Sequence, residues 1–134
     1  MRYRFIDHTA DIAFEVYGRT LEELLENSAY AFYEAFVDLK KIKGQEKRFI
    51  EVEAEDEDLL LYRWLNEILF LFETQFFAGK RVKVSIDNKK AIGEIEGGKF
   101  GREAVKVEPK AITMHKFGIR KGVDKLVAFV VVDI

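Results

Sequence analysis

IAFEVYGRTLEELLENSAYAFYEAF, residues 12–36, changes periodicity within three residues of Gly18. Ile12, Phe14 and Val16 alternate with Ala13, Glu15 and Tyr17, the period of two that marks a half-buried strand. Gly18 ends that run. Thr20 then opens TLEE, where Thr20 and Glu23 make a capping box and satisfy backbone N–H groups that a first helical turn leaves without partners. Leu21, Leu24, Leu25, Ser28, Ala29, Phe32 and Phe36 follow at helical spacing, which predicts a helix over residues 20–37. A strand running directly into a helix commits the chain to a mixed fold.

Outward from this stretch, residues 38–47 are polar and basic with Gly44 as punctuation, and read as a loop. RFIEVEAE then alternates through Ile50, Val52 and Ala54. The following segment opens on acids that suit a helix N-terminus, is apolar nearly all round from Leu59 to Phe72, and reaches Gly79 as its C-cap. A helix of that kind is sandwiched between layers. Val82, Val84 and Ile86, the Asp87-Asn88 pair and residues 91–95 predict a β-hairpin, with Gly97, Gly98 and Gly101 interrupting what comes next. AVKVEPKAITMH reads as extended with a break at Pro109, GIRKGVDK as a turn, and LVAFVVVDI as a strand covered on both faces. The expected fold is α+β: a strand-helix-strand-strand module with a second one inserted, and two main helices on antiparallel or mixed sheet. Residues 1–134 form one domain, its outer module about 1–40 and 102–134 and its inserted module about 46–98.

With 134 residues the chain is long enough to bury a core without staples, and it has no cysteine, which excludes disulfides, thiolate chemistry and cysteine-ligated zinc. No apolar run approaches the roughly 20 residues of a membrane helix and no leader-like apolar region opens the chain, so a cytoplasmic location without membrane contact is expected. A net charge of −2 makes the protein no general sink for nucleic acid, so RNA would be held mainly by a partner. A charged fraction of 34%, with only two Gln and three Asn, fits a thermophile host.

Few reactive groups are available. Ser28 and Ser85 are the only serines and neither sits in a nucleophile elbow, two histidines without cysteine are too few for a four-ligand zinc site, and phosphate-binding glycine loops are absent. Carboxylates remain. Asp7 and Asp11 flank the start of the first strand, while Asp133 stands beside the carboxyl group of Ile134. If the last strand pairs near Asp11, three carboxylates meet, and their repulsion calls for a shared proton or a cation. Oxygen donors of this kind suit a hard divalent cation. Aspartate before a strand is more often a turn residue, and Asp7 and His8 read as shaping that turn. Lys110 with the cluster His115, Lys116, Arg120, Lys121 and Lys125 is either a basic patch facing phosphates or a solvated loop. The aromatic residues around 62–77 read as core, with Phe76 and Phe77 the candidates for a partner patch.

The opening YRFIDHTADIAFEVYGRTLEELLENSAYAFY resembles the start of the archease family: DHTAD, a short strand ending in Gly, then a T-L-E-E helix. EPKAITMH resembles the family's V-K-A-I-T segment and VVVDI its closing V-x-x-D-I, so the resemblance spans essentially the whole chain. It implies nested strand-helix-strand-strand modules and an accessory protein, not an enzyme, that activates an RtcB-type tRNA-splicing RNA ligase by promoting its guanylylation and turnover. It also implies metal ligands at Asp11, Asp133 and Ile134, with calcium the expected ion, and a role in partner activation for Lys110, Asp38 and His8. Pro109 departs from the family pattern and bears on how Lys110 is presented. Two other readings stand beside this one: a chaperone-like modulator of a tRNA methyltransferase, and a metal-dependent phosphohydrolase built on the same carboxylates.

Overall fold

The computed structural model describes residues 1–7 and 10–134. Two antiparallel sheets and two helices form the α+β fold expected from the sequence. Strands β1 (Tyr3–Ile6) and β2 (Asp11–Gly18) lead into α1 (Leu21–Phe36). After β3 (Glu46–Glu53), α2 (Glu57–Gln75), β4 (Phe77–Asp87) and β5 (Lys90–Lys99), the chain closes with β6 (Ala111–Ile112), β7 (Gly118–Gly122) and β8 (Lys125–Asp133). The larger sheet has the order β1-β2-β8-β6, with β7 also paired to β8, and the smaller has the order β3-β5-β4. The chain therefore leaves the larger sheet after α1, builds the smaller one within residues 46–99, and returns.

Helix α1 joins the two sheets. Its start is capped by Thr20, whose hydroxyl accepts from the Glu23 N–H at 3.1 Å, as the capping box requires. The return bond differs from expectation, since the Glu23 carboxylate accepts from the N–H of Arg19 instead of Thr20. On one side Asn27 donates to the Tyr17 carbonyl of β2 at 2.8 Å. On the other, α1 closes the free edge of β4: the Tyr30 hydroxyl accepts from the Val82 N–H and the Glu26 carboxylate from the Val84 N–H, both at 2.8 Å. An unpaired strand edge invites association, and these two side chains cover it.

Trp64 on α2 lies at the centre of the core, fully buried, and its indole N–H donates to the Leu25 carbonyl of α1 at 2.8 Å. A Cβ on Gly93 of β5 would fall inside the indole ring, so the absence of a side chain there lets helix and sheet approach. The same constraint explains a departure from expectation at Gly97 and Gly98. They lie within β5, because a Cβ at either would collide with the Ala78 or the Lys43 carbonyl. Glycines that read as interruptions in one dimension are sites of close backbone approach in three.

Three other expectations are corrected. Helix α2 ends at Gln75, with Phe76 as a left-handed cap at φ 52° whose N–H bonds the Leu71 carbonyl, while Gly79 already belongs to β4. Nor is α2 apolar all round: Arg63, Glu67, Phe70 and Thr74 form an exposed stripe at helical spacing. Within AVKVEPKAITMH only Ala111–Ile112 is strand, and β1 and β7 were not anticipated. Both of those are short edge strands whose exposed residues break the alternation a sequence displays, and four of the five residues of β7 are glycine or charged, which mimics a turn.

Among the described residues, the Tyr33 hydroxyl is the one buried side-chain polar atom without a hydrogen-bond partner. A buried hydroxyl in that state is a net cost, and burial also pushes the Tyr33 pKa above its ordinary value near 10. The folded protein therefore holds the Tyr33 proton above pH ~10 while the unfolded chain releases it, so stability falls as pH rises past that value. Tyr33→Phe is expected to keep the fold, raise stability at neutral pH by up to about 1 kcal/mol, and lose less stability above pH ~10 than the parent protein. Thermal melts across pH check this; a variant less stable than the parent at pH 7 would contradict it.

Candidate functional site

Strand β2 pairs with β8 along its whole length, from Asp11 opposite Asp133 to Gly18 opposite Leu126. The hydrogen-bond pattern fixes what kind of pair Asp11 and Asp133 make. Tyr17 donates its N–H to Arg2 on the β1 side, while the Val131 and Asp133 carbonyls accept from Thr113 and Lys110 on the β6 side, at 2.9 and 2.8 Å. Odd-numbered residues of β2 and β8 thus turn their backbone bonds away from each other. Asp11 and Asp133 form a non-hydrogen-bonded pair, the closer of the two antiparallel types, with Cβ atoms about 5 Å apart and side chains on one face.

That face is the outer one. Ile12, Phe14 and Val16 pair with Val132, Val130 and Ala128 on the core face, leaving Asp11, Ala13, Glu15, Val131 and Asp133 on the other. Asp11 is half-buried and Asp133 exposed. Two like charges directly opposite one another repel, by about 1 kcal/mol if fully solvated and about 4 kcal/mol at an effective dielectric near 20 for a 4 Å separation. Farther along the same face Glu15 is held by two arginines and a tyrosine hydroxyl. Arg4 lies at 2.8 Å and Arg120 at 3.4 Å, the Tyr17 hydroxyl donates at 2.9 Å, and the hydrogen bonds from Arg4 and Tyr17 hold the Glu15 carboxyl below its usual range.

Lys110 reaches this corner through its backbone. Its N–H donates to the Asp133 carbonyl, and the next residue, Ala111, stands opposite Asp133 in β6. Pro109 is buried just before it and has no N–H to give, so the ladder begins at Lys110 and the proline leaves it intact. Lys110 is exposed. Ile134 is half-buried, its side chain packed on the core.

Asp38 comes to the same end of the larger sheet by a different route. The 16-residue helix α1 spans about 24 Å and the eight-residue β2 about 26 Å. Because two residues join them, α1 carries the chain back to the level where β2 began. There the Asp38 side chain accepts from Lys40 N–H at 3.1 Å and caps the 3₁₀ turn Leu39–Lys41, while its own N–H donates to Ala104 at 2.8 Å. Asp7 is exposed in the connection between β1 and β2, and His8 lies outside the described residues.

The donor chemistry at this corner is oxygen and anionic, which fits a hard divalent cation such as calcium and not a thiophilic one. Among the described residues no group of three or more His, Asp and Glu side chains assembles, so any such cation would take two side-chain carboxylates and complete its shell from main-chain oxygen and water. Two-metal hydrolytic chemistry needs more bridging carboxylate than that. Ser28 is buried and its hydroxyl donates to Leu25 at 2.7 Å, which makes it a core residue and not a nucleophile.

Two of the basic residues have neighbours of their own away from Lys110. Arg120 faces Glu15, and the Lys125 ammonium lies 4.3 Å from the Tyr17 ring centroid at the opposite end of β8. The two phenylalanines expected to act together also part company: Phe77 is buried in β4 and Phe76 is exposed. Phe76 joins Phe72, Phe100 and Pro109 in a cleft of about 310 Å³ with Glu73 and Glu108 at its rim. Sequence reading missed this cleft, because Phe100 and Pro109 come from segments far from α2; their only signal was an aromatic and a proline in otherwise polar stretches.

Among the described residues, no helix is long and apolar enough to cross a membrane. Comparison with known proteins gives a consistent picture. The Archease protein family (MTH1598/TM1083) matches residues 3–134. Protein archease of Archaeoglobus fulgidus is 59% identical over 137 positions, covering 100% of both chains. The solution structure of Protein 1598 of Methanobacterium thermoautotrophicum superposes with a TM-score of 0.83 at 33% identity, covering 99% of each chain. A crystal structure from Thermotoga maritima, described as an archease and possible chaperone, shares the fold with a TM-score of 0.69 at 23% identity, over 96% of this chain and 94% of that one. The chain belongs to the archease family.

Proposed function

We propose that this protein activates an RtcB-type RNA ligase, through an acidic cation site where β2 meets β8 and through Lys110 beside it. The observation that carries the reading is the face-to-face placement of Asp11 and Asp133 with Lys110 tied to the Asp133 carbonyl. Like charges directly opposite each other across a ladder are destabilising, and a cation bound between them relieves that. Asp11, Asp133 and the carboxyl group of Ile134 would hold the ion, calcium in the first instance. When bound, a divalent cation supplies positive charge and open coordination positions for phosphate or water.

The protein's own groups do the rest. β2 and β8 fix the two carboxylates, the Asp133 carbonyl fixes the Lys110 backbone, and the Lys110 ammonium projects from a rigid base toward an anionic partner group. An activator of this kind needs no chemistry of its own. Raising a competent ligase state from about 1% to half the population requires about a 100-fold preference for that state, or roughly 2.7 kcal/mol. A handful of charged contacts at an exposed corner is on that scale. RNA itself would be held by the ligase, in line with the net charge of −2.

The description of the Thermotoga neighbour as a possible chaperone supports a second reading, a chaperone-like modulator of a tRNA methyltransferase. The two readings divide on the partner. Adding the protein to its cognate ligase with GTP and Mn²⁺ is expected to speed covalent guanylate formation. An unchanged rate, with the methyltransferase and not the ligase retained in a pull-down, would favour the second.

Asp133→Ala, or an extension beyond Ile134, is expected to weaken calcium binding by on the order of tenfold or more and to reduce activation with the fold intact. Calorimetric titration with calcium reads this directly, and normal binding by the extended protein would remove the terminal carboxylate from the ligand set. Lys110→Ala is expected to reduce ligase activation while calcium binding stays at the parent value. Loss of both together would assign Lys110 to folding.

A further inference from the structure

We propose that β3 is a self-pairing edge: two copies of this chain join their small sheets antiparallel about Phe49, making one continuous six-stranded sheet. The edges of this protein are treated unequally. β4 is closed by Glu26 and Tyr30, and β7 has the outward N–H of Ile119 closed by the Asp58 carboxylate at 3.0 Å. β3 has eight residues and, among the described residues, no strand beyond it.

Backbone directions along β3 follow from three contacts. Ala54 donates its N–H to Lys89, so even-numbered residues turn toward β5. The Lys47 and Glu53 carbonyls accept from the Arg48 and Arg63 guanidiniums, so odd-numbered residues turn outward. Lys47, Phe49 and Glu51 therefore present their main-chain groups to solvent at the middle of the edge.

The side chains there are those of an interface. Phe49 is 70% exposed on the outer face, with Ile92 beside it 43% exposed. On the helix side, Arg63 meets Glu53 and Arg48 meets Gln75, so α2 runs antiparallel to β3. The twelve residues from 63 to 75 span about 18 Å and the five from 48 to 53 about 17 Å, which sets the two elements level. Phe70, 56% exposed on the outward stripe of α2, thus stands near the level of Phe49. One strand edge carries an exposed phenylalanine on each side.

Charge selects the occupant. In an antiparallel pairing centred on Phe49, the two Phe49 rings meet, and Lys47 of each copy stands opposite Glu51 of the other. Within one chain Lys47 already lies 2.9 Å from Glu94, and Lys90 3.9 Å from Glu51. The paired sheet would then read Glu94, Lys47, then Glu51 and Lys90 of the second copy, alternating in sign across the junction. A register centred one residue later sets Lys47 against Glu53 but places each Phe49 ring against a Glu51 carboxylate, so it is the Phe49–Phe49 contact that favours the Phe49-centred register. Odd residues face odd residues in the Phe49-centred register, as the outward hydrogen bonds require, and the Lys47 carbonyl passes from Arg48 to the Glu51 N–H of the second copy.

The test is a charge swap read by analytical ultracentrifugation and hydrogen exchange. The parent protein is expected to dimerise between micromolar and millimolar concentration, with concentration-dependent protection of the Lys47, Phe49 and Glu51 amides. Lys47→Glu alone and Glu51→Lys alone should each weaken the dimer about tenfold, since each change sets two like-charged pairs across the junction. Mixing the two variants should restore the dimer, because only the mixed pair is complementary at both positions. Thermal melts of the separate variants confirm that each is folded. A parent protein monomeric throughout, a dimer indifferent to the single swaps, or variants that fail to rescue one another would each overturn the proposal. So would protection of the three amides by a ligase and not by concentration, which would assign the edge to that partner.

Discussion

The pairing of β2 with β8 is the constraint on which the rest depends. It joins residues 11–18 to residues 126–133, nearly the whole chain apart. Closing so long a loop has a large entropic cost, but that cost grows only logarithmically with length. Burial of Phe14, Val16, Val130 and Val132 on the core face offsets it. With that ladder fixed, β1 adds to one side and β6 and β7 to the other, and α1 has a surface to return along. The corner where Asp11 meets Asp133 is the end of the same ladder, so the candidate site is set by the most central pairing in the fold.

The smaller sheet is attached through α1 and α2 and not through a shared strand. Trp64 reaches across to the Leu25 carbonyl while Gly93 makes room for its ring, and Glu26 and Tyr30 seal β4. The helices thereby serve two sheets at once, which explains why α2 is buried over most of its circumference and exposed along a single stripe. Charged side chains line the outer face of each sheet. On the larger sheet Glu15 is held between Arg4 and Arg120, and Asp11 stands opposite Asp133.

Much of this was legible in the sequence. Alternation over residues 12–17, the Thr20 cap and the helical spacing after it gave β2 and α1 to within a residue, because each signal is local and arises from burial on one face. The unbroken apolar run at 126–132 read as a strand covered on both faces, and Val130, Val131 and Val132 are buried. Signals failed where a distant backbone decided the outcome. Gly97 and Gly98 looked like interruptions because nothing local shows that Ala78 and Lys43 will lie against them. Phe76 ends α2 in a left-handed conformation that its own chemistry disfavours, held by Leu71 on one side and Phe100 on the other.

Residue types and local order were settled by the sequence alone: two helices, strands of alternating burial, no thiol chemistry, a small set of carboxylates and a near-neutral charge. Only the tertiary structure decided which of those carboxylates stand together. Asp7 is the aspartate near Asp11 in sequence, yet the cross-strand neighbour of Asp11 is Asp133, because register in an antiparallel ladder is set by matching two buried faces residue for residue. The same matching turned both aspartates to the outer face and brought Lys110 to the Asp133 carbonyl. A property of the pair, like the repulsion between them, has no counterpart in either segment read by itself.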